Sequence, residues 1–133
     1  MTLDELNGHL DLLEHLAEAK DAYETAQARI LGAMKFDGMP HVSEPSRRPE
    51  NLSVYLERSA AEVDRWERIV KRSEADIRSF IETVPDPKLR SIFDLRYLCG
   101  MKWEDVASFA GGTSTYDSVR TACYRYLNQI NCQ

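Results

Sequence analysis

Cysteine is scarce in this chain, and its spacing is unpaired. The 133 residues hold three, Cys99, Cys123 and Cys132, with no Cys-x-x-Cys pair. An odd number at these spacings argues against both a disulfide framework and a zinc site. Three reduced thiols are expected. Long hydrophobic runs are also missing, so no segment is expected to span or enter a membrane. The start, Met1-Thr2-Leu3-Asp4-Glu5, carries neither a basic region nor an apolar stretch. No secretory signal is expected there, and a cytoplasmic location follows.

Catalytic constellations are absent too. The three histidines are His9, His15 and His41. His9 and His15 are six apart, so on one helix they do not share a face as i,i+4 metal ligands would. Both are expected at surface or half-buried helix positions. There is no Walker loop, no G-x-S-x-G elbow and no Glu-x-x-His pair of the kind di-iron bundles use. Gly111-Gly112 has no lysine after it and reads as a turn, not a phosphate cradle. A non-enzymatic protein with no cofactor and no metal is therefore expected.

The chain contains 43% hydrophobic and 29% charged residues, ordinary for a globular protein. Its net charge of −5 is uneven: residues 1–85 sum to −6 and residues 86–133 to +1. The acidity belongs to the N-terminal part. Attraction of the C-terminal part to phosphate must come from local arrangement, not bulk charge.

Helical periodicity dominates. Leu3, Leu6, Leu10, Leu13 and Ala17 recur at steps of three and four, and Leu12, Leu16, Ala19, Tyr23, Ala26 and Ile30 form a second, drifting stripe. Together they predict a helix over about residues 3–34. Thr2 or Asp4 suits its cap, and acidic residues crowd its first turn. Ala19, Ala26 and Ala33 let a partner helix approach closely. Residues 35–50 carry three prolines and a glycine and predict a long loop. Arg47 and Arg48 within it read as part of a solvated linker or as a contact with a backbone or partner.

A second helix is expected over about 51–83. Leu56, Val63, Val70, Ile77 and Val84 fall seven apart, interleaved with Leu52, Ser59, Trp66, Ser73 and Phe80. This is a heptad pattern, coiled-coil in character. A helix of that length is about 50 Å long and is not stable alone. It is expected to lie antiparallel against the first, with apolar surface left for a homodimer. Carboxylates alternating with arginines, as in Glu62-Val63-Asp64-Arg65-Trp66-Glu67-Arg68, read as a solvated face.

Val84-Pro85-Asp86-Pro87 stops the heptads. Pro85 disfavours helix at Val84, and Pro87 suits the first turn of a new helix capped by Asp86. The segment is read as a domain boundary, with a kink inside one domain as the alternative. Residues 1–84 then form the hairpin and 85–133 a second module.

Three short helices are predicted in that module, at about 87–99, 102–110 and 115–129. Gly100 suits a left-handed cap of the first. The second turns Trp103, Val106, Ala107 and either Phe109 or Ala110 inward. The third turns Val119, Ala122, Tyr126, Leu127 and Ile130 inward. Gly111-Gly112-Thr113-Ser114 supplies a tight turn followed by capping hydroxyls. Short helix, glycine turn and longer helix outline a helix-turn-helix, with an ordinary three-helix bundle as the alternative. In a helix-turn-helix the start of the third helix faces the major groove of double-stranded DNA. The candidate DNA-binding residues are Thr115, Tyr116, Ser118, Arg120, Thr121, Tyr124 and Arg125, with Asp117 as a dipole partner or cytosine reader.

The stretch Leu89-Arg90-Ser91-Ile92-Phe93-Asp94-Leu95-Arg96-Tyr97-Leu98-Cys99-Gly100-Met101-Lys102-Trp103-Glu104-Asp105-Val106-Ala107 resembles small phage transcriptional regulators of the ArpU/RinA type. Their C-terminal module is similar to region 4 of sigma-70 factors, which reads the −35 promoter element. In this resemblance Tyr116-Asp117-Ser118-Val119-Arg120 takes the place of the recognition-helix start. The third helix here has fewer basic residues than that family's, and two glycines place its start a residue or two later. The resemblance implies an all-α fold, a long antiparallel helical hairpin followed by a C-terminal three-helix helix-turn-helix module. It implies transcription regulation by a phage or prophage protein, with RNA polymerase as a further partner. The competing expectation is a helical interaction or assembly protein, of phage packaging or scaffold type, whose C-terminal bundle binds protein.

Overall fold

The computed structural model of the protein describes the backbone of residues 1–35, 47–111 and 113–132, and the side chains of these apart from 33–35 and 47–50. It is all-α. Helix α1 spans Leu3–Lys35, α2 Arg47–Thr83, α3 Pro87–Phe93, α4 Trp103–Ala110 and α5 Tyr116–Asn131, with a π-helical segment at Asp94–Leu98 continuing α3. No helix among the described residues is long and apolar enough to cross a membrane.

The helix ends follow local chemistry. The backbone N–H of Glu5 donates to Thr2 Oγ1 and that of Thr2 to Glu5 Oε2, at 3.2 and 2.6 Å. This reciprocal box satisfies two orphan donors and fixes Thr2 as the cap of α1. Asp86 caps α3, its Oδ1 accepting from the Lys88 N–H at 3.0 Å with Pro87 at the first helical position. One correction concerns the loop expected over 35–50. Lys35 is still helical, and α2 already begins at Arg47. Pro49 is tolerated because it sits in the first turn, where its missing N–H has no intrahelical acceptor to lose. The remainder of that loop, residues 36–46, lies outside the described residues, as do the side chains of Ala33, Arg47 and Arg48.

The chain forms two compact units. One comprises Met1–Leu13 with Val70–Gln133, the other Glu14–Ile69. These units do not divide at Pro85, where the proline pair suggested a boundary. Ile77, Phe80 and Val84 before the prolines share one core with Leu89, Ile92, Phe93 and Tyr97 after them. Leu6 of α1 is fully buried in that same core, and Val106, Ala107, Val119, Cys123 and Leu127 complete it. Phe80 meets Phe93 edge-on at 5.3 Å, a favourable quadrupole arrangement. Burial pushes the Tyr97 phenol and the Cys123 thiol up to about 12, so both stay neutral. The three cysteines are free, Cys123 buried and Cys99 and Cys132 exposed.

The two stripes of α1 divide between the units. Leu6, Leu10 and Leu13 are buried or half-buried in the first, but Ala17 is exposed. From Leu16 the second stripe takes over, with Ala19, Tyr23, Ala26 and Ile30 turned inward. A straight helix drifts about 20° per heptad, so one stripe cannot serve both ends.

In the second unit α1 and α2 run antiparallel. His15 stacks on Trp66 with ring centroids 4.8 Å apart, while Ala26 and Arg29 line a groove with Leu52. Every heptad position from Leu52 to Val84 is buried or half-buried. His9 requires a second correction. It is 1% exposed, not at the surface or half-buried, because it faces Ser73 of α2 with Nδ1 2.8 Å from the hydroxyl.

Candidate nucleic-acid interface

The α3–α5 region is arranged around two positive-φ glycines. Gly100, at φ +70, follows the π-helical segment, and the Met101 N–H reaches back to the Leu95 carbonyl at 3.1 Å. Gly111, at φ +75, follows α4. Both occupy the left-handed region that a β-carbon disfavours. Gly112 lies outside the described residues.

Arg96, Tyr97 and Trp103 hold the first of these turns. The Arg96 Nη1 donates to the Met101 carbonyl at 2.8 Å, and its guanidinium lies 4.9 Å from the centre of the Trp103 ring. Trp103 in turn meets Tyr97 edge-on at 6.2 Å. The charge is thus used inside the fold, satisfying a carbonyl and packing on an indole.

Thr115 is the N-cap of α5. The Ser118 N–H donates to Thr115 Oγ1 at 3.2 Å, and the Thr115 N–H donates to Ser118 Oγ at 3.0 Å. The Ser118 hydroxyl donates onward to the Thr115 carbonyl at 2.8 Å. Both side chains are exposed, but their first role is this capping box.

Arg120 is half-exposed and engaged. Its Nη2 donates to Asp117 Oδ1 at 2.8 Å, and its guanidinium lies 5.5 Å from the Tyr116 ring centre. Tyr116 is 43% exposed. Tyr124 is half-buried against Trp103, edge-on at 6.2 Å, so it packs inside the module more than it faces outward. Thr121 and Arg125 are exposed, and Arg125 joins no ion pair among the described residues.

With Val119, Cys123 and Leu127 buried, the opposite side of α5 presents Asp117, Ser118, Thr121, Arg125, Asn128 and Gln129. Asn128 and Gln129 were not among the residues expected from the sequence, which centred on the first turns. Their helical spacing from Thr121 and Arg125 is the signal that places them on the same side. Ala122, expected inward, is exposed, since it lies off the 119–123–127 line. Phe109 is 71% exposed, whereas Ala110 is half-buried, which resolves the open choice between them. Arg120 and Arg125 against Asp117 leave this face weakly cationic. It can donate hydrogen bonds to phosphate or base edges through Arg125, Thr121 and Asn128.

No group of three or more His, Cys, Asp or Glu that could hold a metal ion occurs among the described residues. Comparison with known proteins finds no matching family model, no matching curated protein and no matching solved structure.

Proposed function

We propose that this chain is a sequence-specific transcription regulator of the sigma-70 region-4-like kind, phage or prophage encoded and acting in the cytoplasm. It binds double-stranded DNA through the outward side of α5. The observation that carries the reading is the short α4, the positive-φ Gly111 and a box-capped, 16-residue α5 presenting a polar row. Such a helix is long enough to lie in a major groove, with its first turns at the base edges. The expected contacts are Arg125 and Thr121 first, with Arg120 after release from Asp117. RNA polymerase is the proposed second partner, and the long helices are proposed to join two copies. No catalytic activity is proposed.

The test is an electrophoretic shift with DNA from upstream of the chain's own operon against random duplex, followed by in vitro site selection. Binding is expected to be selective and to weaken steeply with salt. Absence of any shift at low salt would sink the reading. One observation favours the rival protein-binding role: Phe109 of α4 is widely exposed, while Arg120 of α5 is already neutralised. A protein captured through Phe109, with no duplex bound, would support that role instead.

A further inference from the structure

The Glu14–Ile69 unit is under-filled for its length. Among its described residues only Ala26 and Ser59 are buried, both small. Its larger heptad residues, Leu52, Leu56, Val63 and Trp66, are all half-buried, and Leu31, Val54, Tyr55 and Ile69 are exposed. Two helices sharing one seam leave its flanks to water. Most of a helix's stability comes from packing an apolar face, so such a pair gains by acquiring a further layer.

One side of this hairpin carries two grooves, of about 420 and 390 Å³. Ala22 and Tyr55 line both, which makes them one continuous trough. Its charges are polarised. Glu18 and Glu62 stand at the first groove, and Arg29 at the far end of the second. Glu18 is 77% exposed with the His15 ring nitrogen 3.9 Å away, Glu62 is paired with Arg65 at 3.6 Å, and Arg29 joins no ion pair among the described residues, so Glu18 and Arg29 are the charges left to meet a partner. Arg58 lies near the middle, one turn from both Tyr55 and Glu62.

We propose that this trough is an interface for a second copy of the same chain, packed hairpin against hairpin about a two-fold axis between Ala22 and Thr25. A surface that is acidic at one end and basic at the other is self-complementary under such an axis. Glu18 and Arg29 are eleven residues, about 16 Å, apart on α1. The axis passes midway between them, so each copy's Glu18 meets the other's Arg29. Tyr55 of each copy then lies close to the axis, covering the alanine floor of its neighbour, and the four helices close a bundle. A different helical partner has no reason to match this polarity. This pairing rests on the proposed joining of two copies through the long helices, and it holds or fails independently of DNA binding.

Sedimentation of the whole chain, without DNA and under reductant to exclude links through Cys99 or Cys132, reads the result. The wild type is expected to dimerise at micromolar concentration. Glu18→Lys and Arg29→Glu should each weaken the dimer about tenfold, because each change places like charges together twice per dimer. The double variant should return to within about threefold of wild type. Tyr55→Asp should leave a monomer of unchanged helicity. A wild-type monomer at about 100 µM overturns the proposal. So does a dimer indifferent to all three positions, or a double variant no better than its parents. A shift assay on the same samples reports separately on the DNA reading.

Discussion

His9 Nδ1 lies 2.8 Å from the hydroxyl of Ser73, a bond from α1 to α2 across sixty-four positions of sequence. The other ring nitrogen, Nε2, is buried without a partner. Burial lowers the pKa of His9, and the charge of Glu74 opposes this only in part. Glu5 and Asp76 line the adjoining cavity. The folded protein therefore binds a proton less readily than the unfolded chain, whose histidine titrates near 6.5. Stability is full above that value and falls as the pH drops from it toward the folded pKa. Urea unfolding is expected to show a midpoint that declines as the pH falls below about 6.5. His9→Gln, which can still bond Ser73, should flatten that slope. An unchanged slope in the variant would assign it to other groups.

Leu6 is fully buried among residues of the C-terminal helices. Leu6→Ala should cost about 2–5 kcal/mol, a core-cavity cost. For the same reason a fragment of residues 85–133 is expected not to unfold cooperatively, since it loses Leu6, Ile77, Phe80 and Val84 together. Thermal melts followed by circular dichroism check both.

Asp117 holds Arg120 at 2.8 Å on an exposed surface. Asp117→Asn should free the guanidinium and remove a repulsive charge. Duplex affinity is expected to rise about threefold to tenfold, mostly for non-cognate DNA, with the salt slope steeper by about one. Arg120→Ala should cost about 1–3 kcal/mol of cognate affinity if the side chain reaches a base. Fluorescence anisotropy over a salt series separates these effects. Duplex binding untouched by both Arg120→Ala and Arg125→Ala would remove α5 from the interface.

Gly111 has open space where a β-carbon would stand, but its φ is +75. With ψ at 172 it lies outside the αL well that asparagine tolerates, so Gly111→Ala and Gly111→Asn are each expected to destabilise by about 1–3 kcal/mol for conformational reasons alone. Chemical denaturation of the two variants should show similar losses.

The elements themselves were legible in the sequence because their causes are local. Thr2 with Glu5, Asp86 with Pro87, and the glycines at 100 and 111 are signals that act within a few residues. The heptads of α2 required a facing helix, and α1 supplies it. The resemblance stretch marked Arg96, Tyr97 and Trp103, but not their use. Only the fold shows Arg96 engaged by the Met101 carbonyl and the Trp103 ring.

Other features depended on contacts between distant parts of the chain. A leucine at position 6 reads as one of a stripe, and nothing nearby says that it enters the core formed by Phe93 and Val119. His9 looks amphipathic until Ser73 covers it. Phe109 and Ala110 are equivalent by composition, and packing against α5 and α3 decided which turned inward. Tyr124 reads by spacing as a groove contact, and only the fold shows its ring meeting Trp103 edge-on. Periodicity and capping act through neighbouring backbone groups, so the sequence alone determined that the protein is a set of helices and where most of them begin and end. Burial and pairing join residues far apart in the chain, and only the tertiary structure decided which side chains α5 leaves free.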